Sequence, residues 1–161
     1  MDRADLEHED EVERLRSLMQ TFCRDFGLLA ANETPCGHPI PVSYAHALMV
    51  LLERRRERAP TSQANLGEVL GIDKSNIARL CRRMEDAGHA TQTRDPADGR
   101  GRLVELTDEG VTIARQIERA SRARFRKLLT LIAPRRRSAV LESLANLNEA
   151  VAALRGKKDE S

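Results

Sequence analysis

Between residues 61 and 107 the chain reads TSQANLGEVLGIDKSNIARLCRRMEDAG and then HATQTRDPADGRGRLVELT, an order of helix, tight turn, helix and short hairpin. This run constrains the fold most, because it changes hydrophobic period twice within a few dozen residues. Asp73 can cap a helix over about 74–87, and Gly88 can end it in a left-handed turn. At about 100° per residue Ile77, Leu80, Cys81 and Met84 share one stripe, while Ser75, Arg79 and Arg82 lie opposite, flanked by Asn76 and Arg83. Thr61 or Ser62 can cap a shorter helix running to about Leu70, with Leu66, Val69 and Leu70 packing inward and Gly71 making the turn. Residues 89–94 and 102–106 are partly β-branched runs separated by DPADGRG, the composition of a hairpin turn.

The free face of the second helix carries side-chain types that can contact duplex DNA, although an ordinary surface helix in so charged a chain would also turn arginines outward. Ser75, Asn76 and Arg79 can hydrogen-bond base edges, and Lys74, Arg82 and Arg83 can hold phosphates. Thr61, Ser62 and Gln63, at the start of the first helix, are placed for phosphate contacts that fix position without reading sequence. At the hairpin tip, Arg100 can enter a minor groove with Asp98 orienting its guanidinium.

These residues resemble the winged helix-turn-helix of the multiple antibiotic resistance regulator (MarR) family. The most specific positions are Asp73-Lys74-Ser75, Gly88, Asp95-Pro96 with Asp98 and Arg100, and Leu106-Thr107 with Gly110, and the spacing from Gly88 to Thr107 fits without a gap. The chain departs from the family at Gln92, where an arginine is common, and at Gly99-Arg100, where a pair of arginines is common. The resemblance extends more loosely over about 10–155. It implies a homodimeric regulator of transcription, usually a repressor, whose affinity for DNA responds to a small molecule, a metal or an oxidant.

Apolar residues at helical spacing predict a first helix over about 8–31, a second over about 42–58, a long one over about 108–132 capped by Thr107, and a last one from Pro134 to about Leu154. The expected fold is mainly α with a small β-hairpin wing. It is one domain, with the winged helix at about 42–107 and dimerisation helices at about 8–40 and 108–155. The stripe Val140, Leu141, Leu144, Leu147, Val151 and Leu154 is too long for the winged unit to cover, so a second copy of the chain is expected on it. The resemblance puts the dimer interface on the first and last two helices, with the two recognition helices ~34–36 Å apart on a pseudo-palindromic operator.

The resemblance also implies an effector pocket near Phe22, Phe26, Tyr44, His46 and Leu48. Cys23 and Cys36 are the candidates for a thiol-responsive variant, and Cys36, His38 and His46 are chemically competent for zinc. The helix after Thr107 has no histidine to complete a four-ligand site, so no metal and no cofactor are expected. Cys81 falls on the packing stripe.

A net charge of +2 gives little field of its own, although acidic residues dominate before about residue 14 and basic ones between 115 and 137. Without tryptophan and with one tyrosine, the chain suits duplex recognition better than base stacking on single strands. No stretch of about 18 apolar residues suggests a membrane span. Three cysteines at unrelated spacings and an acidic N-terminus are what a cytoplasmic protein would carry. No phosphate loop, nucleophile motif or clustered histidines point to an enzyme. The rival from another class is a winged-helix module that binds a protein partner and no specific DNA.

Overall fold

The computed structural model describes residues 3–96, 98, 99 and 101–156. Its elements are α1 (Arg3–Phe26), α2 (Val42–Glu57), α3 (Gln63–Leu70), α4 (Lys74–Asp86), β1 (Ala90–Arg94), β2 (Arg102–Leu106), α5 (Asp108–Leu131) and α6 (Pro134–Gly156). The chain divides into two compact units, Met1–Ser121 and Arg122–Ser161.

In the first unit one core joins α2, α3, α4, the hairpin and the start of α5. Leu48, Leu66, Ile77, Cys81, Met84, Val104 and Ile117 are its fully buried members. The strands pair antiparallel, with Ala90 opposite Leu106 and Arg94 opposite Arg102. A short third edge joins them: Ser62 bridges Leu103, and the Val104 N–H donates to the Thr61 carbonyl at 2.9 Å. Thr61 is thereby drawn into the interior. Its side chain is buried and its hydroxyl has no hydrogen-bond partner.

The helix ends follow local chemistry. α1 stops at Phe26, short of the expected 31, because Gly27 turns left-handed (φ +84°) and the Leu28 N–H closes back on Cys23 O at 3.0 Å. Ser62, not Thr61, caps α3 by accepting from the Asn65 N–H at 3.1 Å. Val69, expected to pack, is exposed, and Leu66 anchors the short helix. Thr107 ties α5 to the loop before β1: its hydroxyl donates to Gly88 O at 2.6 Å and accepts from the Gly110 N–H at 3.0 Å.

α1 buries no described residue, and Val12, Leu15, Leu18, Met19 and Phe22 are exposed along it. In the second unit α6 has no buried residue, and Leu141, Leu144, Val151 and Leu154 are open to solvent.

Candidate nucleic-acid interface

α4 divides into two faces. Ile77, Leu80, Cys81 and Met84 are buried, whereas Lys74, Ser75, Asn76, Arg79, Arg82 and Arg83 are exposed. The buried side fixes rotation of the helix about its axis, so the outward side chains have a defined direction. α3 holds the other end of the arrangement. A Cβ on Gly67 would lie 3.0 Å from Ile72 O and 3.2 Å from Ile77 Cγ2, so a larger residue there would make its neighbours give by a few tenths of an ångström.

The start of α4 is organised by one carboxylate. Asp73 Oδ1 accepts from the Ser75 N–H (3.0 Å), the Asn76 N–H (3.0 Å) and the Ser75 hydroxyl (2.7 Å). Asn76 donates its amide to Oδ2 and in turn accepts from the Arg79 guanidinium. These bonds, led by that from the Asn76 backbone, hold the Asp73 carboxyl well below the usual carboxylate range. The consequence for recognition is specific. With its first N–H groups capped by an anion, the α4 N-terminus offers no phosphate site of its own, and phosphate attraction must come from Lys74 and the arginines. Ser75, Asn76 and Arg79 form a connected row that presents hydroxyl, amide and guanidinium outward.

Arg83 lies 5.9 Å over the Tyr44 ring, a cation–π placement that pins it against α2. Tyr44 is itself buried, and its hydroxyl is 2.8 Å from His89 Nδ1. Beside these residues an open cleft of about 600 Å3 is lined by Ser43, Gly71, Ile72, Asp73, Asn76, Arg79, Leu80 and Arg83.

Of the three expected backbone-contact residues at the start of α3, Ser62 caps the helix through its hydroxyl oxygen. Thr61 cannot reach outward, because the bridge to β2 turns it into the core. Gln63 is half-buried and donates to Gln92 Oε1 at 2.9 Å, while Gln92 donates to Glu85 Oε2 at 2.8 Å. The three side chains brace α3, β1 and α4 together. Gln92 thus works as a strut. Nothing local in the sequence marks Glu85 or His89 for these roles.

At the wing, Asp98 is exposed and its carbonyl accepts from the Gly101 N–H at 2.8 Å, closing the turn. Arg100 lies outside the described residues. Arg94 and Arg102 face each other across the ladder, both exposed. Cross-strand partners share one face of the sheet, so Arg94 and Arg102 place two cationic residues on the same face of the wing.

The five residues expected at an effector pocket lie in different surroundings. Tyr44 and Leu48 are core residues, His46 is exposed, and Phe22 stacks on Phe26 along α1 with ring centroids 5.1 Å apart. The period of α2 explains this: Tyr44 and Leu48 are four residues apart on its inward face, and His46 lies between them on the other. Cys36 and His38 belong to a tight loop in which Thr34 Oγ1 lies 3.1 Å from Cys36 Sγ and accepts from the His38 N–H at 3.0 Å. Among the described residues no three potential ligands cluster for a metal. Cys23 and Cys36 are half-buried free thiols, and burial pushes the Cys81 thiol up to about 11.

Residues 38–101 match the family model described as MarR family. The chain is 27% identical over 88 residues to an uncharacterized HTH-type transcriptional regulator, YfiV, of Bacillus subtilis (strain 168), a match that spans 55% of each protein, or about half the length of that relative. Among solved structures it resembles a probable transcriptional regulator from Pseudomonas aeruginosa, with 26% identity, TM-score 0.64 and coverage of 81% of this chain and 92% of that one. It is also similar to the PcaV transcriptional regulator from Streptomyces coelicolor in complex with its natural ligand, with 25% identity, TM-score 0.59 and coverage of 85% and 90%.

Proposed function

We propose that this chain, whose winged helix over residues 38–101 is of the MarR family, is a sequence-specific regulator of transcription that binds double-stranded DNA as a homodimer. The observation that carries the reading is the division of α4: four side chains lock one face into the core while Lys74, Ser75, Asn76, Arg79 and Arg82 stand free on the other. In this reading Ser75, Asn76 and Arg79 read base edges from the major groove. Lys74, Arg82, Arg83 and the Ser62 hydroxyl hold phosphates, and the Arg94–Arg102 pair adds wing contacts beside Asp98 and Arg100.

The uncovered apolar residues of α1 and of α6 each support a second copy of the chain as their partner. A pseudo-palindromic operator follows from that symmetry, with repression as the output and a small molecule as the signal. The ligand-bound relative from Streptomyces supports effector control as a mode open to this fold.

Fluorescence anisotropy on the duplex upstream of the chain's own gene, against an unrelated duplex of equal length, tests the reading. Selective binding with a steep salt dependence is expected. Arg79→Ala should cost about 1–3 kcal/mol and relax selectivity, and Arg94→Ala should weaken both duplexes and flatten the salt slope by about one. Equal weak binding to both duplexes, unchanged by Arg79→Ala, would refute DNA reading by α4 and favour a protein-interaction module.

A further inference from the structure

The C-terminal end of α2, the turn that follows it and β2 border a half-open cavity of about 430 Å3, and none of its lining residues belongs to α4 or to the wing tip. Its floor is apolar and already part of the core: Leu51, Val104 and Leu106. Around the floor stand three guanidinium groups, Arg54, Arg55 and Arg58, against one carboxylate, Glu105. The volume falls in the range of small-molecule sites, and an apolar floor with a few convergent charges is their usual design.

Three further observations mark this cavity as built. Arg58 is the one non-glycine residue with positive φ (57°) among the described residues, held there as its N–H donates to Arg55 O at 3.2 Å and the Ala59 N–H donates to Arg54 O at 2.9 Å. This left-handed cap ends α2 and brings Arg58 into the lining together with Ala59, Pro60 and Thr61. Arg58 has no ion-pair partner among the described residues, whereas Arg54 pairs with Glu57 at 3.3 Å and Arg55 with Asp108 at 3.5 Å. Thr61 also lines the cavity, and it is the residue whose buried hydroxyl lacks a partner.

We propose that this cavity binds a small aliphatic anion, with its carboxylate or phosphate on Arg54 and Arg58 and its chain over Leu51, Val104 and Leu106. The lining contains no aromatic ring, so it suits an aliphatic body better than a stacked one. An occupant bridges α2 and the base of the wing, which are already joined by Arg55 Nη1 donating to Leu106 O at 2.7 Å. Binding therefore biases the wing's position, and with it affinity for DNA; this last step alone rests on the function proposed above.

The test is amide chemical-shift titration of the whole chain, without DNA, using sodium hexanoate, monobutyl phosphate and neutral 1-hexanol at constant ionic strength. Saturable shifts at Thr61, Val104 and Leu106 are expected with one or both anions near about 1 mM, and the anion that binds identifies the headgroup. The Arg54→Gln/Arg58→Asn double variant should raise Kd at least about tenfold, and Glu105→Gln should lower it. Asparagine tolerates the left-handed backbone, so the double variant keeps the turn. No saturable shift at those amides, equal binding of 1-hexanol, or an unchanged Kd in the double variant would overturn the site. Repeating DNA anisotropy with the bound anion should move operator affinity at least about fivefold; no movement would overturn the coupling and leave the site standing.

Discussion

Replacing Gly110 with alanine sets two effects of opposite sign against each other. On helix propensity alone, alanine inside α5 should stabilise the protein by about 1 kcal/mol, through the backbone freedom that glycine loses on folding. The structure gives the opposing term. A Cβ at residue 110 would lie 1.8 Å from His89 O, 2.8 Å from His89 C and 3.2 Å from His89 Cα. All three are backbone atoms, so no rotamer relieves them. α5 must retreat from the Gly88–His89 loop by at least about 1 Å, an overpacking that costs about 3 kcal/mol or more. The retreat also strains the bond from the Thr107 N–H to His89 O (3.2 Å) and that from the Thr107 hydroxyl to Gly88 O (2.6 Å). The clash wins, with a net loss of about 2 kcal/mol or more. In urea, with a slope of about 2 kcal/mol/M, the midpoint should fall by roughly 1 M. Protein concentration must be held fixed, since the proposed dimerisation would make the midpoint concentration-dependent. Gly156→Ala, where a Cβ meets nothing within 4 Å, is the control and should stay within about 0.5 kcal/mol of the parent. A Gly110→Ala midpoint equal to or above the parent's would refute the close approach of α5 to the loop.

Thr61→Val removes a buried hydroxyl without a partner and leaves the carbonyl that accepts from Val104 in place, so stability by urea titration should hold or rise by about 1 kcal/mol; a loss larger than that would mean the hydroxyl is satisfied in solution. The Asp73 carboxyl titrates below its ordinary 3.8, so its capping is complete above that pH and is lost as acid protonates it in the folded state. Asp73→Asn should therefore flatten the fall in stability below pH 3.8 at low salt, and an unchanged acid limb would assign that fall to other carboxylates. With Cys81 buried and its thiol pushed up to about 11, Ellman's reagent at neutral pH should titrate Cys23 and Cys36 and reach Cys81 only in denaturant; three thiols reacting together would place Cys81 outside the core.

What the sequence determined by itself was whatever depends on neighbours within a turn or two. Asp73, Gly71, Gly88 and Thr107 set helix ends through bonds to residues at most a few positions away, or through a φ that glycine tolerates, so α3, α4 and the start of α5 fall near their expected places. The two-faced pattern of α4 follows from its period alone, and so does the list of outward cations. The tertiary structure decided what pairs residues far apart in the chain. Thr61 carries the signature of an exposed cap and is buried, because β2 borrows its carbonyl. Gln92 looks like a missing cation and is a strut, because Gln63 and Glu85 converge on it from two helices. Arg94 and Arg102 become a pair only through the register of the ladder, and Arg54, Arg55 and Arg58 face Thr61 and Glu105 only because β2 packs on the end of α2. Local propensity fixes the direction of each side chain along its own element, whereas its partner across space is chosen by which elements exclude water together.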